Sequence, residues 1–316
     1  MPLTNCITNT PRTHKVGISA AAAFGANPAI TRQLLIESMN HQWTPEYAED
    51  EGNNGTPWRA SEGVRLAAER GSGAITLVPR ADDLRFILPL LVGGNFTGTP
   101  PNELEPEFLC DFFSLQVDQK LIVSNFRGAK TANWSLSSSR SQPLLTLEWG
   151  IESSTYQRGA AGSFTGGLNF STLPPFVHTS STITIDGRVY AVDDVSIAGN
   201  NNLDLELFYN SVTRTDLPPG DQIITFTHTS PFDVAADVGL LDLGATSVAA
   251  QVLYTAAGGD LSLTIEFPAL HAPVSTPVTP QGNTPVRYNG LQWTARSKGT
   301  GGTYEKPVKF TLDDTL

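Results

Sequence analysis

Apolar and polar residues alternate along much of the chain. Leu145-Thr146-Leu147-Glu148-Trp149, Leu203-Asp204-Leu205-Glu206-Leu207 and Leu263-Thr264-Ile265-Glu266-Phe267 each repeat with a period of two. One side of each predicted strand is therefore greasy, and the other carries carboxylate or hydroxyl. Strand signals of this kind dominate from Trp58 onward. A helical period interrupts them at three places. Asn27-Pro28 ahead of Ile30, Leu34, Leu35 and Met39 predicts a capped helix with Pro at its first position. Asp82 to Leu88 predicts a short helix that Pro89 should end, and Phe232 to Leu243 is a third candidate. Gln42 to Thr56 reads as an acidic loop.

A longer repeat overlies these elements. Gly73-Ala74-Ile75-Thr76-Leu77 opens a stretch that runs through a short helix to Leu90-Leu91, and Gln222-Ile223-Ile224-Thr225-Phe226 opens a similar one to Leu240-Leu241. Further on, Leu144 to Trp149 corresponds to Leu261 to Phe267, each after a turn-rich run at Ser137 to Ser141 or Ala256 to Asp260. Tandem duplication is one reading, with Ile75-Thr76-Leu77 overlaying Ile224-Thr225-Phe226 and an insertion at Asn95 to Glu107. Coincidence among generic amphipathic strands is the other. On the first reading the chain divides into an N-terminal arm with one helix at 1–56 and two β domains at 57–175 and 176–316.

Composition narrows the chemistry. Among 316 residues, 20 Lys plus Arg face 31 Asp plus Glu, for a net charge of −11. Without a basic cluster, counterion release cannot supply strong binding to a phosphate backbone. Gly 28 and Pro 22 favour short strands joined by turns. Two cysteines, Cys6 and Cys110, are too few for a disulfide framework or a cysteine-based zinc site and read as reduced thiols. No apolar run approaches the ~18 residues that a membrane-spanning helix needs. The first residues lack the charged start and apolar core of a secretory leader, so the chain is expected to work where it is made, or in something assembled there.

No constellation of catalytic groups stands out. His14, His41, His178, His228 and His271 are scattered without metal-ligand spacing and read as structural or surface residues. Gly71-Ser72-Gly73 and Gly166-Gly167 read as turns, since neither continues into a phosphate-cradling loop before a helix. Asp82-Asp83 suits a helix start, where the dipole favours negative charge, and Asp193-Asp194 suits a turn. No catalytic, metal or cofactor site is expected, and the chain is not read as an enzyme.

The serial order of features resembles the two-part tail tube proteins of tailed bacteriophages from about Pro57 to the C-terminus. The segments that carry it are TPWRASEGVRLAAERGSGAITLVPR, then DDLRFILPLLVGG, then FFSLQVDQKLIVSNFRGAKTANWSLSSSRSQPLLTLEWG, whose Gly-Ala-Lys and Ser-Leu-Ser resemble a tube-strand signature. ITIDGRVYAVDDVSIAGNNNLDLELFYN, RTDLPPGDQIITF and GGDLSLTIEFPAL follow in the second half. The first 56 residues match only loosely.

The resemblance implies a mainly β fold of tandem β-sandwich-like tail tube domains with short flanking helices. Sheets of neighbouring subunits would close into a β-barrel, and stacked rings would form a tube around a DNA-conducting channel. Partners would be further copies (three with pseudo-sixfold symmetry, or six), other tail proteins and DNA in transit, without a membrane. The setting would be the virion tail, assembled in the host bacterial cytoplasm. Glu148, Asp204, Glu206 and Glu266 are candidates to line the channel, where carboxylates would repel phosphate and keep transit fast. Asn95, Phe96, Pro100, Pro101 and Glu103 are candidates for contacts between subunits or rings, because their segment is a Pro- and Asn-rich excursion of low apolar content, and the N-terminal arm is a further one. The alternative is a β-sandwich decoration or carbohydrate-binding module of a phage particle. That would require an aromatic platform, whereas Trp43, Trp58, Trp134, Trp149 and Trp293 are dispersed and suit core or interface packing.

Overall fold

The computed structural model describes residues 15–21, 23–49, 64–119, 122–160, 170–231, 246–271, 287–300 and 303–314. Among them the chain is mainly β with one α-helix. In chain order the elements are Lys15–Ala21 (β1), Arg32–Leu34 (β2), Ile36–Met39 (β3), Gln42–Glu49 (β4), Val64–Leu77 (β5), Ala81–Val92 (α1), Asn102–Leu104 (β6), Phe112–Asp118 (β7), Ile122–Ser139 (β8), Thr146–Ser153 (β9) and Thr155–Ala160 (β10). Then come Phe176–Ile185 (β11), Arg188–Tyr190 (β12), Asp194–Asn200 (β13), Ile223–Pro231 (β14), Val248–Ala256 (β15), Ser262–His271 (β16), Arg287–Ala295 (β17), Lys298–Thr300 (β18), Thr303–Glu305 (β19) and Lys309–Asp313 (β20).

A central antiparallel ladder runs β4, β5, β9, β8, β13, β14, β17. A second runs β12, β11, β15, β16, β20, β6, and meets the first where Leu270 and His271 pair with β17. The N-terminal half of the long β8 belongs to a third, β2, β1, β7, β8, β10. Among the described residues these ladders stay open and do not close into a barrel within the chain.

Register explains the core. Leu77, Leu147, Leu136, Ile197, Phe226 and Trp293 are successive cross-strand partners across six strands, and each is 0% exposed. Side chains opposite one another share a face, so one transverse row puts six apolar groups on the same side of the sheet. The second ladder faces that row: Phe226 meets Phe267 with ring centroids 5.4 Å apart, and Trp134 meets Phe310 at 6.3 Å. A single cluster of buried side chains spans both, each worth about 1.5–3 kcal/mol relative to exposure.

Helix α1 plugs into this core through Leu84, Ile87, Leu88 and Leu91, all 0% exposed. Its first turn holds Arg32, whose Nη2 lies 2.6 Å from Asp82 Oδ2 and 2.8 Å from Asp83 Oδ1. The Asp82-Asp83 pair is thus a clamp on a helix start. The helix runs past Pro89 to Val92, one turn beyond the sequence expectation. Pro89 removes only the bond to the carbonyl of Arg85, an exposed residue that water can reach. Gly93 ends the helix at φ +76, donating to the Pro89 carbonyl at 2.9 Å. A Cβ there would lie 2.7 Å from the Glu107 carbonyl oxygen, so both conformation and space require Gly.

Several expectations change. The helix expected over Ile30 to Met39 is instead the strands β2 and β3, which pair with β1 and β5. Long-range ladders on two available edges outweigh a local helical period. The start of the acidic loop, Gln42–Glu49, is strand β4, and Pro45 is accommodated because among the described residues β4 pairs with β5 alone, as an edge strand does. Gly71 and Gly73 lie inside β5 rather than in a turn. A Cβ at Gly71 would fall on Ser153 Oγ, and one at Gly73 on the His41 backbone. Leu203 to Leu207 forms no ladder. Asp204 Oδ1 accepts from the Glu206 N–H at 3.0 Å, a local bond that competes with strand pairing.

The insertion is not a bare loop. It contains β6, which pairs with β20; Leu104 is 0% exposed, and Phe96 packs on the core. The helix expected over Phe232 to Leu243, residues 1–14 of the arm, Trp58 and Gly166-Gly167 lie outside the described residues.

The strand order of the two halves differs. β9 sits between β5 and β8. Its expected counterpart β16 sits between β15 and β20, while β14, the counterpart of β5, pairs with β13 and β17. The overlay of Ile75-Thr76-Leu77 on Ile224-Thr225-Phe226 is not recovered. Ladders also join the halves, β8 to β13 and β20 to β6.

Candidate functional site

The face opposite the apolar row is made of small polar groups. One residue along each strand, Thr76, Glu148, Ser135, Ala198, Thr225 and Thr294 are successive cross-strand partners. A parallel row, Thr146, Ser137, Ser196, Thr227 and Gln292, lies two residues away. Glu148 is the one charged side chain in these two rows, and it is exposed. Asn133, Ser135, Glu148, Asn200 and Thr225 border a depression of about 350 Å³ on this face. Short hydroxyls dominate these two rows; beyond them, Asp194 carries a further carboxylate on the Ser196 side of β13, and Ile223, 49% exposed, stands on the Thr225 side of β14.

Further along the same side the carboxylate of Glu152 is engaged. Arg214, 1% exposed, donates from Nη1 to Glu152 Oε2 at 2.7 Å and from Nε to the Leu205 carbonyl at 3.0 Å. Lys130, the ladder partner of Glu152, turns its Nζ to the Leu109 carbonyl at 3.1 Å and sits 4.3 Å over the Phe112 ring. Burial holds its ammonium below the usual lysine range. These contacts bind the 201–222 excursion and the Leu109 segment to the edge of the polar face.

The four candidate carboxylates do not share one surface. Glu148 stands on the polar face of the central ladder. Glu266 lies on the second ladder, where it accepts from Lys309 Nζ at 2.9 Å and Gln251 Nε2 at 3.0 Å. The hydrogen bond to Glu266 raises the Lys309 ammonium above its ordinary value. Asp204 and Glu206 are exposed on the unladdered 201–208 segment. Their alternation persists in burial, with Leu203, Leu205 and Leu207 half-buried, but no ladder fixes them beside Glu148. Sequence alternation tells which side of its own strand a residue takes; it does not tell which strands share a sheet.

Of the candidate contact residues, Asn95, Pro100 and Pro101 are exposed and Phe96 is half-buried. Glu103 is exposed on β6 and lies 3.4 Å from Lys309 Nζ.

The aromatic and histidine residues are mostly internal. Trp134, Trp149 and Trp293 are buried, whereas Trp43 stacks on Tyr156 at 5.6 Å. His178 Nδ1 lies 2.9 Å from Ser138 Oγ, which also contacts the Tyr254 hydroxyl at 3.1 Å. His228 is 0% exposed among Phe226, Trp293 and Tyr190, and among the described residues neither ring nitrogen has a hydrogen-bond partner. Burial lowers it to about 4. His41 Nε2 lies 3.2 Å from Ser153 Oγ, and burial lowers this histidine too to about 4. The Ser153–His41 contact is packed between β-strand glycines and Phe126, with Ser153 0% exposed and His41 lining a cleft beside Trp43. Sequence reading missed it because its members are 112 residues apart.

The geometry defines a class: a mainly β chain whose extended feature is a broad, hydroxyl-lined sheet face. The family model described as phage tail tube protein matches residues 12–295. The chain belongs to the phage tail tube protein family and is a structural protein of the phage tail. Membership implies assembly with other tail subunits and a place in the virion tail. No curated protein matches the chain. Among the described residues no helix is long and apolar enough to cross a membrane.

Proposed function

We propose that this protein is the major tail tube subunit, forming rings that stack around a DNA-conducting channel, with the hydroxyl-lined face of the central ladder toward the lumen. The observation that carries the reading is the pair of transverse rows: six fully buried apolar residues on one side, and Thr76, Glu148, Ser135, Ala198, Thr225 and Thr294 on the other. A sheet of this width with a wet side of small neutral groups is suited to a surface along which a polyanion slides. Hydroxyls bring no cations to displace the condensed counterions of DNA, and the exposed carboxylate of Glu148 adds weak repulsion.

Closure of the open central ladder with its neighbours into an inter-subunit barrel would also pair its exposed strand edges, which otherwise invite uncontrolled association. The two chain halves, 57–175 and 176–316, would act as paired sandwich-like tube units. The polar rows draw on both halves, so three chains would supply a pseudo-sixfold ring of unlike units, and six chains a sixfold one. Assembly would take place in the host cytoplasm.

Among the four carboxylates, Glu148 is the lumen residue on this reading, since it alone stands in the polar rows. Electron microscopy of the purified protein tests the proposal. Rings or tubes with a central channel are expected, and Glu148 should be labelled from within the bore. A protein that stays monomeric at every concentration, or whose channel is lined by another face, overturns it.

A further inference from the structure

Two features at opposite ends of β7 complement each other. Just before the strand, Phe108 is 68% exposed, flanked by the exposed carboxylates of Glu105, Glu107 and Asp111. Backbone and side-chain bonds hold this segment in place: Glu107 N–H donates to the Val92 carbonyl at 3.2 Å, and Lys130 Nζ donates to the Leu109 carbonyl at 3.1 Å. Phe108 is therefore a large apolar side chain presented to solvent on an anchored acidic segment.

Just after β7 lies a cleft of about 300 Å³, bordered by Val117 and Gln119 and walled by Trp43, Phe126 and Tyr156. Tyr156 stacks on Trp43 at 5.6 Å and packs against Phe126 at 5.3 Å. Arg158, exposed, stands at the cleft with its Nε 3.4 Å from the Tyr156 hydroxyl. A cavity of about 150 Å³ accommodates a benzene ring, so this cleft admits a phenyl group with room for its backbone. An acidic segment carrying a phenyl group and an aromatic cleft with an arginine at its mouth match in both shape and charge.

The two cannot meet within one chain. β7 spans seven residues, which at ~3.3 Å each sets them roughly 20 Å apart. We propose that Phe108 of one copy inserts into the Trp43, Phe126 and Tyr156 cleft of a second copy, with the Glu105, Glu107 and Asp111 carboxylates around Arg158. The contact is head-to-tail: two different patches of the same chain meet. Such a contact propagates into a closed ring or an open stack, whereas a two-fold contact stops at a dimer. The inference rests on the self-assembly reading above and names the contact that reading leaves unspecified.

The test mixes isotopically light and heavy protein carrying a photo-crosslinking phenylalanine analogue at position 108. Light-to-heavy crosslinks joining position 108 to peptides containing Trp43 or Tyr156 are expected. Phe108→Ala should raise the concentration needed for assembly about tenfold or more, as loss of a central aromatic anchor does. Arg158→Glu should weaken assembly, and Glu107→Arg in the same chain should restore it. If wild-type protein assembles and the crosslinks fall elsewhere, or if Phe108→Ala assembles at the wild-type concentration, this contact is wrong while the tube reading stands. If wild-type protein gives neither assemblies nor intermolecular crosslinks, both fail.

Discussion

Arg214 and Glu152 are 62 residues apart in sequence and 2.7 Å apart in space, with the arginine 1% exposed and the carboxylate side chain 15% exposed. The pair fastens an excursion without ladders to the rim of the polar sheet face. Truncating one partner leaves the other charge unmatched in a poorly hydrated place, which costs about 3–5 kcal/mol. Arg214→Ala should therefore destabilise by that amount in urea unfolding. Glu152→Gln should cost less, because its amide oxygen still accepts a hydrogen bond. Equal and negligible losses in both would remove this pair as the anchor.

Glu148 is predicted to matter for transit and not for folding. It is exposed and among the described residues no hydrogen bond or ion pair holds it, so Glu148→Lys should change stability within about 0.5 kcal/mol. On the tube reading each subunit would then offer a cation to passing phosphate, and DNA delivery should slow while ring assembly persists. The measurements are thermal melting of the variant, microscopy of its assemblies, and DNA release from particles carrying it.

Acid should loosen the protein through two histidines. His41 and His228 are both lowered by burial to about 4 from an ordinary 6.5. Between those values the unfolded chain binds more protons than the folded one, so stability falls as pH drops from about 6.5 toward 4 and is flat above that window. Each group contributes roughly 3 kcal/mol at most across it. His228→Leu should flatten the dependence, measured as urea midpoints at pH 7.5 and 5. An unchanged slope would mean that His228 finds a partner for its proton.

Gly199 is predicted to tolerate no side chain. A Cβ there would lie on the Trp134 indole, and overpacking of this kind costs about 1–3 kcal/mol. Gly199→Val should lower the unfolding midpoint and alter tryptophan fluorescence.

The β character and the alternating strands were legible in the sequence because a period of two is a local property. Thr146 to Glu148 and Leu263 to Phe267 fall in strands for that reason. Helix α1 was legible too, through its acidic first turn and apolar spacing, though not its extent beyond Pro89. The region from Ile30 to Met39 was misread because its conformation is set by edges of β1 and β5, supplied from elsewhere in the chain. The candidate face was half legible. Glu148 could be assigned to the wet side of its strand, but its company of Thr76, Ser135 and Thr225 depends on ladders whose register no local pattern encodes. The separation of Glu266 and Asp204 from it had the same cause.

The alternation of buried and hydroxyl rows also acts as a reading frame in three dimensions. Removing Thr146 from β9 or Val195 from β13 would move Leu147 or Ile197 to the wet side and send Glu148 or Ser196 inward, and so on for every residue of the strand beyond the deletion. Point substitutions on the hydroxyl rows are mild, but a one-codon deletion within these strands is a frameshift of faces. Relatives of this chain are therefore expected to vary in length at 95–107 and 201–222, where the backbone leaves the central ladder, and to keep the strands between them at constant length.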